Sequence, residues 1–214
     1  KTTKKLKGFL YFSTSEIYGN PDKKNIPTKE SFYGYVNSYG PRSCYDEGKR
    51  VGETLCYIYK KYYKTKVKII RPFNVYGPGM EKLDYRVIPN IVRSIREKKI
   101  MNIYNTGNQT RTFCYITDAI NGFLQVIAND NKNVIFNVGN DENEISIINL
   151  VKIVNKITKK SFKYRYMNNK NYPGDEPQRR CPDISLLKKL SNYKNNMSLE
   201  EGIKRTIYFK SDKS

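Results

Sequence analysis

The segment GFLYFSTSEIYG (residues 8–19) places a continuous apolar run directly before a row of small polar side chains. An unbroken run such as GFLYF is typical of a strand that is buried on both faces of a parallel sheet. Ser13, Thr14, Ser15 and Glu16 then predict a polar turn where the strand ends. The segment therefore predicts a buried strand that leads straight into a polar turn.

Further strands and a long helix extend this pattern. The run KVKIIRPFNVYGPG (66–79) predicts a second buried strand, which Pro72 and the Gly77–Gly79 turn bring to an end. A helix is predicted between the two strands, over residues 42–64, after the Gly40–Pro41 break. VIFNVG (134–139) is another apolar strand. Alternating helices and buried strands predict an α/β fold with a parallel sheet.

The remainder of the chain mixes short strands and helices, as a smaller α+β lobe would. TRTFCYIT (110–117) predicts one alternating strand that leads into a helix N-capped by Asp118. The other predictions are a helix over 85–97, strands over 101–105 and 161–167, a Ser146-capped helix over 146–158, a loop over 172–182, a helix over 184–190, and a helix over 198–209 with a Ser198/Glu201 capping box. We expect residues 1–79 to form the main domain and 80–214 the lobe, with 134–139 returning a strand to the main sheet.

Composition limits the function classes. The 214 residues carry 40 Lys and Arg against 20 Asp and Glu, a net charge of +20. The basic residues are scattered and accompany no nucleic-acid motif, so no specific nucleic-acid partner is expected. No long apolar run predicts a membrane span, and the first ten residues are too weakly apolar for a signal peptide.

The absence of histidine from the sequence is equally informative. It excludes Ser-His-Asp and Cys-His nucleophile systems. The four cysteines are widely spaced without a CxxC pair, so a metal site is not expected. Reduced thiols predict a protein of the cytoplasm.

Tyr45 and Lys49 lie four residues apart in CYDEGKRVGETL (44–55), which places both side chains on one face of the predicted helix. A phenol is a poor base at neutral pH unless a cation stabilises its phenolate. Such a pair can remove a proton from a sugar hydroxyl while hydride leaves the same carbon. With 19 tyrosines and 40 basic residues, the pair is also expected by chance. The neighbouring Asp46 and Glu47 are expected to face solvent or to cap the helix.

Six segments, in this order, resemble the extended short-chain dehydrogenase/reductase superfamily and, within it, the UDP-glucuronate decarboxylases (UDP-xylose synthases). They cover almost the whole chain, and RSCYDEGKR is the most specific part. The segments are STSEIYG (13–19), NSYGPRSCYDEGKRVGE (37–53), RPFNVYGPGM (71–80), DYRVIPN (84–90), GNQTRTFCYITD (107–118) and EPQRRCPDIS (176–185). Six ordered matches argue against a chance Tyr45/Lys49 pair.

The resemblance implies a Rossmann-like domain that binds NAD and a lobe that binds a UDP-sugar. It implies that Tyr45 is the catalytic base, that Lys49 activates it and holds the nicotinamide ribose, and that Arg180 contacts the diphosphate or serves as the acid. It further implies that Thr14 contacts the reacting oxygen and the cofactor, and that Glu16 lies near the sugar ring. The implied substrate contacts are Ser15, Asn74 and Arg111, and the implied residues along the cofactor path are Val75 and Arg86. From the sequence alone, Thr14 and Asn74 could instead satisfy turn backbone groups, and Glu16 and the three arginines could be surface charges.

One family feature is missing from the sequence. Full-length members begin with a further segment that contains a glycine-rich loop for the dinucleotide pyrophosphate, and no G-x-G-x-x-G or G-x-x-G-x-x-G pattern occurs among the 214 residues. We expect the chain to correspond to the C-terminal two-thirds of such an enzyme. The sequence therefore does not predict whether this segment is active by itself.

The implied reaction is NAD-dependent conversion of UDP-glucuronate to UDP-xylose through a 4-keto intermediate. A nucleotide-sugar 4,6-dehydratase shares the motifs but needs an Asp-Glu pair after the threonine, where this chain has Ser15-Glu16. A 4-epimerase is a further alternative. So is a truncated, non-catalytic relic that dimerises through residues 42–64. The superfamily also implies a homodimer, for which Val51, Leu55, Ile58 and Tyr59 provide an apolar stripe.

Overall fold

The computed structural model describes residues 7–81, 84–104, 106–130, 132–159, 161–167 and 177–209. Its strands are β1 (Phe9–Phe12), β2 (Val67–Pro72), β3 (Val75–Tyr76), β4 (Met101–Tyr104), β5 (Thr110–Arg111), β6 (Cys114–Tyr115), β7 (Ile135–Val138), β8 (Ile145–Ser146), β9 (Tyr164–Met167) and β10 (Arg179–Arg180). Its α-helices are α1 (Ser43–Tyr63), α2 (Val87–Arg96), α3 (Ile116–Ala128), α4 (Ile147–Ile157), α5 (Ser185–Leu190) and α6 (Leu199–Tyr208).

The main sheet has the strand order β1-β2-β7, and both pairings are parallel. Its central strand β2 is buried, with Ile69 and Ile70 only 3 % and 0 % exposed. Helix α1 links β1 to β2, as a crossover between neighbouring parallel strands requires. The α/β fold class is confirmed, and the sequence patterns at 8–12, 66–70 and 134–139 each correspond to a strand of this sheet.

The prediction that β1 is buried was wrong. Phe9 and Phe12 are 47 % and 46 % exposed. Within the described residues, β1 pairs only with β2 and therefore lies at a sheet edge. Helices cover it only in part: Phe12 has an edge-to-face contact with Phe123 of α3, and Tyr11 packs against α1. Apolar sequence thus identified the strand but not its exposure within the described residues.

Helix α1 follows its predicted span to within one residue at each end and closes on Lys64 in the left-handed region. On its sheet side, Cys56 is buried against β2. A bidentate ion pair also ties the helix to β2, with Arg71 Nε 2.9 Å and Nη2 2.6 Å from the Glu53 carboxylate. This pair fixes the side of α1 that faces the main sheet.

Two predicted strands are each divided. The 66–79 strand stops at Pro72, Asn74 then adopts a left-handed conformation with φ of 42°, and β3 pairs with β6. The 110–117 strand is two short strands, because β5 pairs with β8 and β10 while β6 pairs with β3. Asn74 carries the chain from the main sheet to a smaller one, which a single straight strand could not do.

Two other local predictions were wrong. Asp118 does not cap α3, which begins at Ile116; it lies in the first turn, where its carboxylate accepts hydrogen bonds from the backbone N–H groups of Asn196 and Met197. The predicted loop at 172–182 contains β10, and its residues 172–176 lie outside the described part of the chain. The remaining helix predictions are confirmed, including the Ser146 and Ser198 caps, whose hydroxyls accept from backbone N–H groups at 3.3 Å.

The second core lies between α2, α4, α6 and the β4–β9 pair. Ile91, Leu150, Val151 and Val154 are its most deeply buried side chains, each 0 % exposed. This core is separate from the cluster around Ile70, Phe136 and Val138 in the main sheet. Among the described helices, none combines the length and apolar character needed to cross a bilayer.

Candidate active site

The polar turn after β1 forms the first wall of the site. Residues Ser15–Tyr18 form a 3-10 helix, and the Thr14 hydroxyl caps it by accepting from the Glu16 backbone N–H at 3.3 Å. Thr14 and Ser15 are 8 % and 4 % exposed. This hydrogen bond satisfies a backbone N–H group at the start of the 3-10 helix.

Tyr45 and Lys49 lie in the first two turns of α1, beside the end of β1. The Lys49 Nζ lies 5.9 Å from the centre of the Tyr45 ring and donates a 2.9 Å hydrogen bond to the Phe12 carbonyl. Tyr45 is 50 % exposed and lines the cavity described below, whereas Lys49 does not line it. The Tyr45 phenol is therefore accessible from the cavity. The Lys49 ammonium lies on the side of Tyr45 away from the cavity and is held at the end of β1.

The Glu16 carboxylate lies between two guanidinium groups. Arg180 contacts both of its oxygens, at 2.6 Å from Nη2 to Oε2 and also from Nη1 to Oε1, while Arg42 Nη2 contacts Oε2. The side chains of Glu16, Arg180 and Arg42 are 17 %, 9 % and 14 % exposed. Burial alone raises the pKa of the Glu16 carboxyl, but Arg180 and Arg42 outweigh it and hold the pKa below its ordinary value. The Glu16 side chain is thus ionised and held in one position by the two arginines.

Asn74 and Arg111 form a second wall of the site. The Asn74 amide donates to the Thr112 carbonyl at 2.9 Å. Arg111 is 5 % exposed and donates to the carbonyls of Thr110 and Gln178 at 2.8 Å and 3.3 Å. These contacts order the backbone around both side chains, while each also lines the cavity.

Val75 and Arg86 also line the cavity. The Arg86 side chain is 56 % exposed and pairs with Asp84, at 2.8 Å from Nε and 2.5 Å from Nη2. The hydrogen bonds from Arg86 outweigh burial and hold the pKa of Asp84 below its ordinary value. Arg86 is therefore a charged side chain at the rim of the cavity, and its ion pair with Asp84 holds it there.

These walls enclose a cavity of about 770 Å³ between the ends of β1 and β2 on one side and α2 and β4 on the other. Of the ten residues that the sequence nominated, nine line it, and Lys49 lies behind Tyr45. The nine are Thr14, Ser15, Glu16, Tyr45, Asn74, Val75, Arg86, Arg111 and Arg180. Residues from six separate segments are therefore brought to one cavity.

Sequence reasoning overlooked Arg42 and misplaced Asp46. Arg42 lines the cavity and contacts Glu16. Asp46, expected at the surface or as a cap, is 6 % exposed, with Oδ2 3.7 Å from Arg42 Nε. An Arg-x-x-Tyr-Asp pattern, with Arg and Asp at i and i+4, was the available signal.

Comparison with known proteins assigns a family to this architecture. Residues 2–139 match the NAD dependent epimerase/dehydratase family. Over 200 residues the chain is 38 % identical to UDP-glucuronic acid decarboxylase 1 of Xenopus tropicalis, covering 94 % of this chain and 46 % of that protein. It is 40 % identical over 199 residues to UDP-glucuronic acid decarboxylase 1 of Arabidopsis thaliana, covering 93 % and 44 %. The chain thus spans about half the length of the curated relatives it matches.

A solved structure shows the same fold. UDP-glucuronic acid 4-epimerase from Bacillus cereus, in complex with UDP-glucuronic acid and NAD, superposes with a TM-score of 0.78 at 28 % identity. The alignment covers 95 % of this chain and 61 % of that one. These matches confirm the superfamily resemblance and the Rossmann-like fold class.

Proposed function

The chain belongs to the NAD dependent epimerase/dehydratase family, and on that basis we propose that it carries the catalytic side chains of a UDP-glucuronate decarboxylase. The reaction converts UDP-glucuronate to UDP-xylose and CO2. The observation that carries the proposal is the juxtaposition, in one cavity, of the Tyr45 phenol with the Arg42–Glu16–Arg180 cluster. A base for a sugar hydroxyl and a cationic wall for a sugar carboxylate are thereby combined.

Tyr45 takes the proton from the 4-hydroxyl of the glucuronate ring. Lys49 stabilises the resulting phenolate from behind, and the Thr14 hydroxyl contacts the same sugar oxygen. NAD, when bound, would supply the acceptor for the hydride of C4 and the donor that returns it. Lys49 suits the cofactor's ribose because, within the described residues, its ammonium donates a single hydrogen bond, to Phe12, although it has three donors.

Decarboxylation follows from the electronics of the substrate. Once C4 is a ketone, the C6 carboxylate lies β to it and leaves as CO2, because the electrons of the breaking bond flow into an enolate. Thr14 and Tyr45 hold the enolate oxygen by hydrogen bonds while C5 takes a proton from solvent, which gives the 4-keto pentose. Return of the hydride to C4 and of the Tyr45 proton to O4 then gives UDP-xylose. No base is needed at C5, so the ionised Glu16 fits a positioning role.

The same geometry argues against a dehydratase. Elimination of water needs an acid beside the base, and the chain has Ser15 where that acid would stand. Glu16 cannot supply the proton readily, since its pKa lies below the ordinary value. A 4-epimerase remains the second candidate, because the Bacillus cereus structure at 28 % identity is an epimerase that binds UDP-glucuronic acid.

Assembly as a homodimer is part of the proposal. Val51, Leu55 and Tyr59 on α1 are 57 %, 50 % and 48 % exposed on the single chain, and they form an apolar stripe about two turns long. Sedimentation velocity should show a dimer that Leu55→Lys converts to monomer, with Lys60→Gln as the control. A parent protein that sediments as a monomer at micromolar concentration would argue against the dimer.

We also place the enzyme in the cytoplasm. Its four cysteines are free, and three of them are buried. Unpaired thiols are typical of reducing compartments. A fluorescent fusion that is found in a secretory compartment would contradict this placement.

Product analysis tests the reaction itself. The protein, as its gene encodes it, is incubated with UDP-glucuronate and NAD and followed by proton NMR. We expect UDP-xylose and CO2 with no net consumption of NAD. UDP-galacturonate would establish an epimerase, and conversion of dTDP-glucose alone would establish a dehydratase. Binding without any turnover would favour the non-catalytic relic.

A further inference from the structure

Asn137 of β7 is a buried amide whose hydrogen bonds reach separate segments of the chain. It is 0 % exposed and does not line the cavity. Its Oδ1 accepts a 2.7 Å hydrogen bond from the Tyr18 hydroxyl, and its Nδ2 donates to the carbonyls of Thr28 and Asp183 at 2.9 Å and 3.1 Å. Its backbone N–H donates to Glu30 Oε1 at 2.9 Å. Both ends of the side-chain amide are therefore engaged.

Arg71 fixes the direction of these hydrogen bonds. It is the partner of Asn137 across the β2–β7 pairing, and its Nη1 donates to the Tyr18 hydroxyl at 2.8 Å. A guanidinium can only donate, so the hydroxyl accepts from Arg71 and gives its single hydrogen to Asn137. The amide oxygen must then face Tyr18, which turns the amide nitrogen toward the two carbonyls. Asn137→Asp would keep the contact with Tyr18 but would turn an oxygen toward both carbonyls.

Tyr18 and Asp183 belong to the two segments that carry the Glu16–Arg180 ion pair. Tyr18 is the last residue of the 3-10 helix, two positions after Glu16. Asp183 follows Arg180 by three positions, and its backbone N–H donates to the Thr28 carbonyl at 2.9 Å. One buried amide therefore holds both carriers of an ion pair whose members are 164 positions apart.

We propose that Asn137 is a positioning residue, which aligns Glu16 with Arg180 in the cavity wall. It acts through Tyr18 on one side and through Asp183 on the other. The inference rests on the proposed function and deepens it. Arg180 contacts both oxygens of the Glu16 carboxylate, and such paired hydrogen bonds need a common plane, so a small shift of either segment disrupts them. Misplacing a group in an active site by about 1 Å can lower the rate by about 100-fold.

Tyr18→Phe breaks this connection with little disturbance to packing, because it removes the hydroxyl and keeps the ring. The ring lies against Phe32 and Phe73, at centroid distances of 6.2 Å and 5.8 Å. In the protein as its gene encodes it, we expect the turnover number with UDP-glucuronate and NAD to fall about 5- to 20-fold, with KM changed less than about threefold. Asn137→Asp, which breaks the contacts on the other side, should lower the turnover number at least as far.

Tyr193→Phe is the matched control. Tyr193 is 2 % exposed and does not line the cavity, and its hydroxyl lies 3.0 Å from both the Gly139 carbonyl and Asn195 Oδ1. Removing it loses the same kind of buried hydrogen bond, so thermal unfolding should show a similar destabilisation in the two tyrosine variants. Tyr193→Phe should nevertheless keep the parent turnover number below its unfolding transition. Equal losses of turnover in the two variants would mean that Tyr18 has a structural role only.

A double-mutant cycle separates positioning from a general loss of structure. In Glu16→Gln the paired carboxylate is already gone, so adding Tyr18→Phe should lower the turnover number by less than about twofold further. Independent effects would instead multiply. Asn137→Asp enters the same cycle if Tyr18→Phe does not fold.

Multiplied effects, or a parent turnover number in Tyr18→Phe, would overturn the role of Asn137 while the parent still converts UDP-glucuronate. A parent that does not convert UDP-glucuronate would overturn the proposed function and, with it, this role.

Discussion

Replacing Glu16 by glutamine removes one negative charge from between two guanidinium groups while keeping the shape of the side chain. Removing one partner from a buried ion pair costs about 3–5 kcal/mol. The Glu16 side chain is 17 % exposed in a cavity wall, and the glutamine oxygen still accepts a hydrogen bond, so we expect about 2–3 kcal/mol here. For a chain of this size, that is a fall in Tm of roughly 4–12 °C.

The pH dependence gives the prediction a sign. Because the folded-state pKa of Glu16 is lower than its ordinary value of 4.5, its ionised form stabilises the fold fully above that value. The contribution is lost as the pH falls through the folded-state pKa. The difference in free energy of unfolding between parent and Glu16→Gln should therefore be largest near neutral pH and shrink below about pH 4.

Urea denaturation across this pH range measures the difference. Glu200→Gln is the control, because its pair with Lys156 is 51 % and 73 % exposed and should contribute at most about 0.5 kcal/mol. A difference that widens as the pH falls would refute the account, since it would mean that Glu16 folds in its protonated form and is available as an acid. The turnover number of Glu16→Gln should fall about 10- to 100-fold, with KM changed less than about threefold, because the added positive charge offsets the loosened arginines.

Two further predictions concern stability. Glu53→Gln breaks the ion pair between Glu53 and Arg71, whose side chains are 13 % and 7 % exposed, and should lower the free energy of unfolding in urea by about 3 kcal/mol. Glu47→Gln is the control: both side chains of its pair with Arg50 are more than a third exposed, so the free energy of unfolding should change by less than about 0.5 kcal/mol. Gly34→Ala should destabilise the protein by at least about 2 kcal/mol, because Gly34 has φ of 88° and an added Cβ would lie 2.3 Å from a backbone oxygen. Gly48→Ala, inside α1, is the control: its added Cβ contacts nothing, so it should stabilise the protein by about 1 kcal/mol. Equal thermal shifts for the two variants would contradict the strain argument.

Local pattern predicted the elements of this chain well. The 42–64 helix, the strands near 8–12 and 66–70, and the Ser146 and Ser198 caps all depend on neighbours within a few residues. The burial of a strand could not be predicted from its local sequence in the same way. GFLYF is apolar enough for a buried strand, yet Phe9 and Phe12 are nearly half exposed, because within the described residues β1 pairs with β2 alone.

The site was predictable as a set of residues but not as a network. Motifs nominated Glu16, Tyr45 and Arg180 from three separate segments. The ion pair between Glu16 and Arg180 joins positions 164 residues apart, and no sequence spacing indicates it. Arg42 was missed because a basic residue near a helix start is unremarkable in a chain with 40 lysines and arginines. Its role depends on the two carboxylates that fold around it.

The most direct test of the central claim is the turnover of UDP-glucuronate by Tyr45→Phe. This change removes only the hydroxyl that acts as the base, so UDP-glucuronate binding should persist while the rate of UDP-xylose formation falls about 100-fold or more. Tyr57→Phe, on an exposed face of the same helix, is the control and should keep the parent rate. Near-normal turnover by Tyr45→Phe would contradict the assignment of Tyr45 as the base and the mechanism built on it.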